Sequence, residues 1–151
     1  MRVRKNQGFV LIAMSVALLV MLGVMGLAFD FGRIYIARNE AQVFTEAAAM
    51  SAASKLDGTE EGVERARLAV ARLPMRWSLG TKSFTGVVVE FSADRKRWEQ
   101  APPTGAGLTY ARVTAPDNQV EITFLRAIGG PAVFTVPAHS VAAAKPVRLV
   151  E

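Results

Sequence analysis

The side chains that could catalyse a reaction are few and stand apart. His139 is the single histidine of the chain, and it lies between Ala138 and Ser140. A histidine that acts as a general base needs an orienting partner and a substrate group within reach, and a serine nucleophile needs a sharp strand-to-helix turn around it. The sequence around His139 and Ser140 shows neither pattern. We therefore predict no catalytic residue and no enzymatic activity.

Metal, cofactor and phosphate sites are not predicted either. The chain has no cysteine, which excludes thiolate ligands and disulfides. No group of His, Asp and Glu residues has the spacing of metal ligands, and Gly129-Gly130-Pro131 is not followed by the Lys-Ser/Thr pair of a phosphate-binding loop. Glu60, Glu61 and Glu64 are expected on a solvated face near a helix start, where negative charge is favourable.

Charge and composition argue against nucleic acid as a partner. The chain has 151 residues and a formal net charge of +5, and its later positive residues alternate with Asp and Glu. The densest basic stretch, Arg95-Lys96-Arg97-Trp98, is short and lies between two predicted strands, so we expect a solvated turn there. A nucleic-acid interface needs a larger basic patch. The length allows one modest domain in addition to a membrane segment.

A long apolar segment follows the basic start of the chain. Between Gly8 and Phe29 only Ser15 has a polar side chain, and as a helix this segment would span roughly 33 Å. A bilayer core is about 30 Å thick, and backbone groups in lipid must be paired within the segment. A cleaved signal peptide has a shorter apolar region that ends in a small-x-small cleavage site. We predict a leader over residues 1–8 and a transmembrane helix over residues 9–29.

The charges that flank this helix predict its orientation. Arg2, Arg4 and Lys5 precede it, whereas Asp30 is the first charge after it, followed by Arg33. Positive residues favour the cytoplasmic side of a membrane. We expect the leader to be cytoplasmic and the chain from about Asp30 onward to lie outside the cytoplasmic membrane.

A second helical pattern continues directly from the apolar segment, over residues 30–57. Its apolar positions recur at steps of three and four and define one face, whose members include Ile34, Ala37, Ala41, Phe44 and Ala48. Alanine-rich sequence favours the helix, and Gly58 is a stop signal. The simplest structure is one long helix. Its narrow apolar face must be buried either against the following domain or against the same helix in other subunits.

The segment "QGFVLIAMSVALLVMLGVMGLAFDFGRIYIARNEAQVFTEAAAMSAA" resembles the amino-terminal part of the TadE/TadG-like proteins of tight-adherence (Flp-type) pilus assembly. The shared features are a basic leader, an apolar span that ends in a Gly-Leu-Ala-x-Asp-x-Gly-Arg-like stretch, a tyrosine two residues after that stretch, and an alanine-rich helix. The positions at the membrane exit that carry the resemblance are Gly26, Leu27, Ala28, Asp30, Gly32, Arg33 and Tyr35. The resemblance covers roughly residues 5–55 and implies an envelope protein whose partners are other pilus or secretion-assembly subunits.

A second resemblance, to the precursors of type IV pilins and pseudopilins, concerns the bond between Gly8 and Phe9. Those precursors have a basic leader that ends in Gly, followed by Phe and an apolar helix, and prepilin peptidase cleaves after that Gly. The resemblance makes Gly8 and Phe9 a candidate processing site. Pilins usually have Glu five residues after the cut, where this chain has Ala13. A carboxylate in lipid is costly and is retained only for a partner. Ala13 therefore leaves two interpretations open: an atypical minor subunit or an unprocessed anchor.

The remaining residues, 58–151, show the patterns of a small α+β domain. A capping pattern at Thr59 predicts a helix start, and Pro74 predicts its end. "KSFTGVVVEFSAD", "LTYARVTA" and "NQVEITFLRAI" alternate like strands, and "PAVFTVPAHSVAAAKPVRLVE" adds one or two more. The residues of the third pattern that we expect to face the core are Val120, Ile122 and Phe124. The predicted fold is a long transmembrane helix followed by a small antiparallel-sheet domain with one or two helices, a pilin-like architecture.

The preferred interpretation is a single-pass protein of the bacterial cytoplasmic (inner) membrane with a periplasmic or extracellular carboxy-terminal domain. It would be TadE/TadG-like or minor-pilin-like and would assist the assembly of a pilus or secretion apparatus. Its predicted partners are the lipid bilayer, other assembly subunits and prepilin peptidase, with no cofactor. The alternative is a membrane-anchored periplasmic binding or adaptor domain unrelated to pili.

Overall fold

The computed structural model describes residues 7–74, 84–103 and 107–144. The elements, in chain order, are helices α1 (Gln7–Ala53) and α2 (Glu60–Ala71), strands β1 (Val88–Ser92), β2 (Tyr110–Ala115) and β3 (Gln119–Glu121), helix α3 (Phe124–Ala127), and strands β4 (Val133–Thr135) and β5 (Ala138–Ala143). This arrangement confirms the predicted α+β class, with a long amino-terminal helix ahead of a small antiparallel sheet. Most of the predicted basic leader, residues 1–6, lies outside the described residues.

Helix α1 changes character along its length. Up to Phe31 its large apolar side chains are exposed, apart from the half-buried Leu27, whereas from Ala37 onward one face is buried. An apolar helix without a covering partner needs a non-aqueous environment, and by length and composition α1 contains a segment able to cross a membrane. The exposed apolar part of α1 thus precedes a part with one buried face.

The described chain divides into two compact units. The first consists of the residues up to Tyr35 together with Val120–Phe134, and the second of Ile36–Gln119 together with the chain from Thr135 onward. The first unit contains the exposed part of α1 and helix α3. The second unit contains α2 and a three-stranded sheet.

The sheet of the second unit has the strand order β1-β2-β5, and both pairings are antiparallel. In β2, buried positions alternate with half-buried ones, as expected for a strand with one face on a core. That core combines the alanine-rich end of α1 with α2 and the sheet, and its largest fully buried side chains include Phe91 and Val113. Alanines at the contact allow the helix backbone to approach the sheet closely.

Helix α2 begins at the predicted capping residue. The hydroxyl oxygen of Thr59 accepts a hydrogen bond from the backbone N–H of Gly62 at 3.1 Å. Asp57 in turn accepts hydrogen bonds from the Thr59 hydroxyl at 2.6 Å and from the Thr59 backbone N–H at 3.0 Å, and it pairs with Arg65. These hydrogen bonds from Thr59, with the nearby Arg65 charge, hold the pKa of Asp57 below its usual value. Asp57 therefore holds the start of α2 through these hydrogen bonds and its pairing with Arg65.

The basic stretch after β1 forms the expected turn. The Oδ1 atom of Asp94 accepts hydrogen bonds from the backbone N–H groups of Lys96 and Arg97 at 2.8 and 3.1 Å. Arg95 has a φ of 63°, a left-handed conformation that such a tight turn requires. The three basic side chains are exposed, so this stretch is a solvated turn.

The third predicted strand is shorter than expected. Strand β3 ends at Glu121, and the residues from Phe124 to Ala127 form the short helix α3 instead of continuing the strand. Val120 and Ile122 are buried as predicted, but Phe124 is exposed. The alternating pattern misled the prediction because Phe124 lies against a residue of α1, whose position the local sequence does not reveal.

Candidate functional site

The structure places a buried carboxylate just after the apolar segment of α1. Asp30 is 2% exposed, and its oxygens accept hydrogen bonds from three consecutive backbone N–H groups at the start of α3. Its Oδ1 lies 3.1 Å from the nitrogen of Thr123, and its Oδ2 lies 2.7 Å from the nitrogens of both Phe124 and Leu125. The first N–H groups of a helix have no partner within it and carry the positive end of its dipole. Asp30 therefore caps α3 from a distant part of the chain.

Local residues do not provide this cap. Thr123 occupies the capping position, but its side chain makes no capping hydrogen bond to α3. A buried carboxylate is costly unless it is hydrogen-bonded, and bonds from N–H groups to an ionised oxygen are stronger than those between neutral groups. Arg33 adds a longer contact, from Nη1 to the Thr123 hydroxyl oxygen at 3.5 Å. The long-range contact thus satisfies both the Asp30 carboxylate and the start of α3.

The same face of α1 holds the Phe124 ring. A Cβ atom built on Gly26 would lie 2.6 Å from Cδ1 and 2.8 Å from Cβ of Phe124, so only glycine allows this approach. Phe29 meets the Phe124 ring edge-to-face, with centroids 5.7 Å apart at 79°. The ring contact and the Asp30 hydrogen bonds fix the same turn of α3 onto α1.

The structure brings together three of the seven positions at the membrane exit that carry the resemblance. Gly26, Asp30 and Arg33 follow one another at helical spacing and all contact the segment from Thr123 to Leu125. Gly32 and Tyr35 lie elsewhere on α1. Tyr35 is 68% exposed, and a Cβ added to Gly32 would have no atom within 4 Å. These two positions are therefore not part of the contact with α3.

Four of the five residues of the predicted helix-packing stripe lie within the second unit. Ala37, Ala41, Phe44 and Ala48 are buried, and the Phe44 ring stacks on Phe84 with centroids 4.3 Å apart. Ile34, in the first unit, is half-buried. Within the second unit, this face of α1 packs on residues from later in the chain.

The two side chains considered for catalysis occupy unsuitable positions. Ser140 is buried, and its hydroxyl oxygen lies 2.9 Å from that of Thr45 and 3.2 Å from the amide nitrogen of Gln42. His139 is exposed on the same strand, paired in register with Thr114. Because successive side chains of a strand point to opposite faces, Ser140 and His139 cannot act as a pair. Within residues 7–74, 84–103 and 107–144, no group of three His, Asp or Glu residues could hold a metal ion.

The candidate processing site lies in the first turn of α1. Phe9 is exposed, and a Cβ built on Gly8 would meet no atom within 4 Å. The Gly8–Phe9 bond is therefore free of packing by the rest of the described chain.

Sequence reasoning missed the role of residues 123–134. The hydrogen bonds that Asp30 accepts join residues 93 to 95 positions apart, which no local pattern reveals. The available signal was a run of turn residues, Gly129-Gly130-Pro131, directly after an apolar stretch, which is unusual inside a strand.

The exposed apolar helix near the amino terminus suggests the class of single-pass, membrane-anchored proteins. Within that class, residues 8–55 match the family model Tad, described as "Putative Flp pilus-assembly TadE/G-like". The match confirms the resemblance over α1 and suggests a structural, envelope-associated protein with a role related to pilus assembly. No curated protein and no solved structure matches the chain significantly.

Proposed function

We propose that this protein is a TadE/TadG-like or minor-pilin-like subunit, anchored in the bacterial inner membrane by α1, that assists assembly of a pilus or related secretion apparatus. The observation that supports this most is the extent of the family match. It covers residues 8–55, which is almost the whole of α1, and it includes Gly26, Asp30 and Arg33, which hold α3. The matched segment is thus the anchor and also the support of a second structural element.

The proposed topology follows from charge. Arg2, Arg4 and Lys5 precede the apolar segment, and positive residues remain on the cytoplasmic side. The leader is then cytoplasmic, and the α+β part is periplasmic or extracellular. In this arrangement the second unit meets assembly partners outside the membrane.

The proposed lateral contact uses a face of α1 that the described residues leave uncovered. Ile36, Val43 and Met50 are exposed, and their seven-residue spacing places them in one row along the helix. The buried stripe that includes Ala41 and Ala48 already packs within the chain. A helix of another assembly subunit would therefore pack on the row formed by Ile36, Val43 and Met50. The mechanism is physical and needs no catalytic group in this chain.

Genetic complementation tests the proposed function. In the bacterium that encodes the protein, deletion should abolish or strongly reduce piliation or secretion, and the intact gene should restore it. Val43→Glu should fail to restore it because a charge would lie in the helix contact, whereas Leu68→Glu, at an exposed position of α2, is the matched control and should restore it. Normal piliation and secretion after deletion would refute the proposal.

Cross-linking tests the contact directly. The chain has no native cysteine, so Val43→Cys and Leu68→Cys each introduce a single thiol. We expect mild oxidation, in cells whose candidate partner carries a cysteine on its own helix, to link the position 43 thiol and not the position 68 thiol. Equal yields at the two positions would contradict a specific contact.

Processing by prepilin peptidase is a separable part of the proposal. Cleavage would yield a mature protein that starts at Phe9, and Gly8→Ala should then leave the leader attached. Amino-terminal mass spectrometry distinguishes the two forms. A start at Phe9 supports a low-copy, minor-pilin-like subunit that lacks a glutamate at position 13, and a start at Met1 supports a retained anchor.

A further inference from the structure

Residues 124–134, here named the apolar loop, expose several large apolar side chains. Phe124 is 46% exposed, Ile128 71% and Phe134 45%, and Val133 is also exposed. Single exposed apolar residues are normal on a protein surface, but several within a short segment indicate a surface that binds something. The question is what covers this segment in the cell.

The position of the apolar loop indicates its environment. Asp30 holds the backbone of Phe124 and Leu125, and the Phe124 ring lies against Gly26 and Phe29. Gly26 and Phe29 belong to the end of the predicted membrane span. A side chain that packs on the end of a span lies at the depth of the membrane surface, so the apolar loop begins where headgroups meet acyl chains.

Two arginines of the first unit fit a phospholipid surface. Arg126 is exposed within the apolar loop, and Arg33 is half-exposed beside its start. Arginine beside exposed aromatic and aliphatic residues is typical of segments that lie in the headgroup region. The Asp30 carboxylate is directed at backbone N–H groups of α3. These hydrogen bonds partly neutralise the negative charge of Asp30, and the carboxylate is directed away from the lipid phosphates.

The apolar loop is also shaped in advance of binding. After α3 the backbone N–H groups of Gly129 and Gly130 donate to the carbonyl oxygens of Arg126 and Leu125, at 3.1 and 2.9 Å. Gly129 has a φ of 89°, which side-chain-bearing residues rarely adopt. The turn presents Ile128 outward, and a surface that is already ordered loses less entropy on binding.

We propose that the apolar loop is a second membrane contact, which inserts Phe124, Ile128 and Phe134 into the boundary between headgroups and acyl chains of the leaflet that α1 leaves. This inference rests on the proposed anchoring of α1 in the membrane. Lipid is favoured over a protein partner because the apolar loop is continuous, through Gly26 and Phe29, with the exposed apolar surface of α1.

Site-directed spin labelling of the full chain tests this proposal. Ile128→Cys and Phe134→Cys each place one nitroxide on the apolar loop, in a chain without other thiols. The protein is reconstituted into vesicles of phosphatidylethanolamine and phosphatidylglycerol. Collision rates with oxygen, which is concentrated in lipid, are compared with those of a water-soluble nickel chelate. Val16→Cys, in the predicted span, is the lipid control, and Leu68→Cys, on α2, is the aqueous control.

We expect the ratio of oxygen to nickel collisions at positions 128 and 134 to be several-fold higher than at position 68. A ratio equal to that at position 68 would overturn the proposal, because the apolar loop would then lie in water. Low collision rates with both reagents, together with an immobilised label, would also overturn it and would indicate a protein partner. If position 16 also gives an aqueous ratio, the membrane anchor itself is wrong. An aqueous ratio confined to the apolar loop leaves the anchor intact.

Discussion

Replacement of Gly26 by alanine should loosen α3 from α1. The added methyl carbon would lie 2.6–2.8 Å from three carbon atoms of Phe124, including its Cβ, which cannot move without the backbone. Overpacking of this kind costs about 1–3 kcal/mol. The cost is present only while Phe124 rests on α1, so it favours opening of the turn from Thr123 to Leu125. The equilibrium constant for local opening of this turn should therefore rise roughly 5–150-fold.

Hydrogen exchange measures this opening directly. The amides of Thr123, Phe124 and Leu125 are held by Asp30, and in detergent their exchange rate follows the local opening equilibrium. Gly23→Ala is the matched control, because it adds the same methyl group to the same helix with no atom within 4 Å. Equal exchange in the two alanine variants would refute the contact between Gly26 and Phe124.

Replacement of Asp30 by alanine provides a reference variant for the same hydrogen-exchange measurement. It removes the acceptor of all three amides at once, so their exchange should be at least as fast as in the Gly26→Ala variant. Unchanged protection in the Asp30→Ala variant would show that the carboxylate does not cap α3 in solution.

Three further predictions concern the second unit. Asp57→Asn should lower stability at neutral pH: the pKa of Asp57 is lowered on folding, so its contribution is present above the unfolded value of about 3.9 and is lost as the pH falls through the folded value. Circular dichroism should then show less loss of stability on acidification in the variant than in wild type, and parallel curves would contradict this. Ala48→Leu should cost about 1–3 kcal/mol in chemical denaturation, because Ala48 is fully buried, whereas Ala47→Leu, at its exposed neighbour, should change stability by less than about 0.5 kcal/mol. A Thr45→Val and Ser140→Ala double-mutant cycle should give a coupling of about 1 kcal/mol for the 2.9 Å contact between the two hydroxyls, and strict additivity would contradict it.

Local patterns predicted the elements whose physical causes are local. The apolar run and the absence of proline predicted α1, and Thr59 predicted the start of α2 because a cap acts within one turn. The alternation in "LTYARVTA" predicted β2, whose buried residues include Val113. In each case the residues that determine the structure are neighbours in the sequence.

The site at the end of the span could be predicted only in part. The resemblance indicated Gly26, Asp30 and Arg33 as positions of interest, but it did not reveal what they contact. Their partner, the turn from Thr123 to Leu125, was predicted as strand because Val120, Ile122 and Phe124 alternate. A contact across more than ninety residues depends on the folded chain. No periodicity within either segment encodes it.

The long-range cap also orders events during biosynthesis. Asp30 emerges early, directly after the apolar segment, but its three N–H donors belong to residues 123–125 and are synthesised much later. Until then, if α1 is anchored in a membrane as proposed, the carboxylate is solvated by water, and its hydration opposes sliding of α1 deeper into the bilayer. Closure of α3 onto α1 then removes the carboxylate from water. If α1 spans a membrane as proposed, hydration of Asp30 holds the nascent chain at this depth, and the backbone of α3 holds the carboxylate in the completed chain.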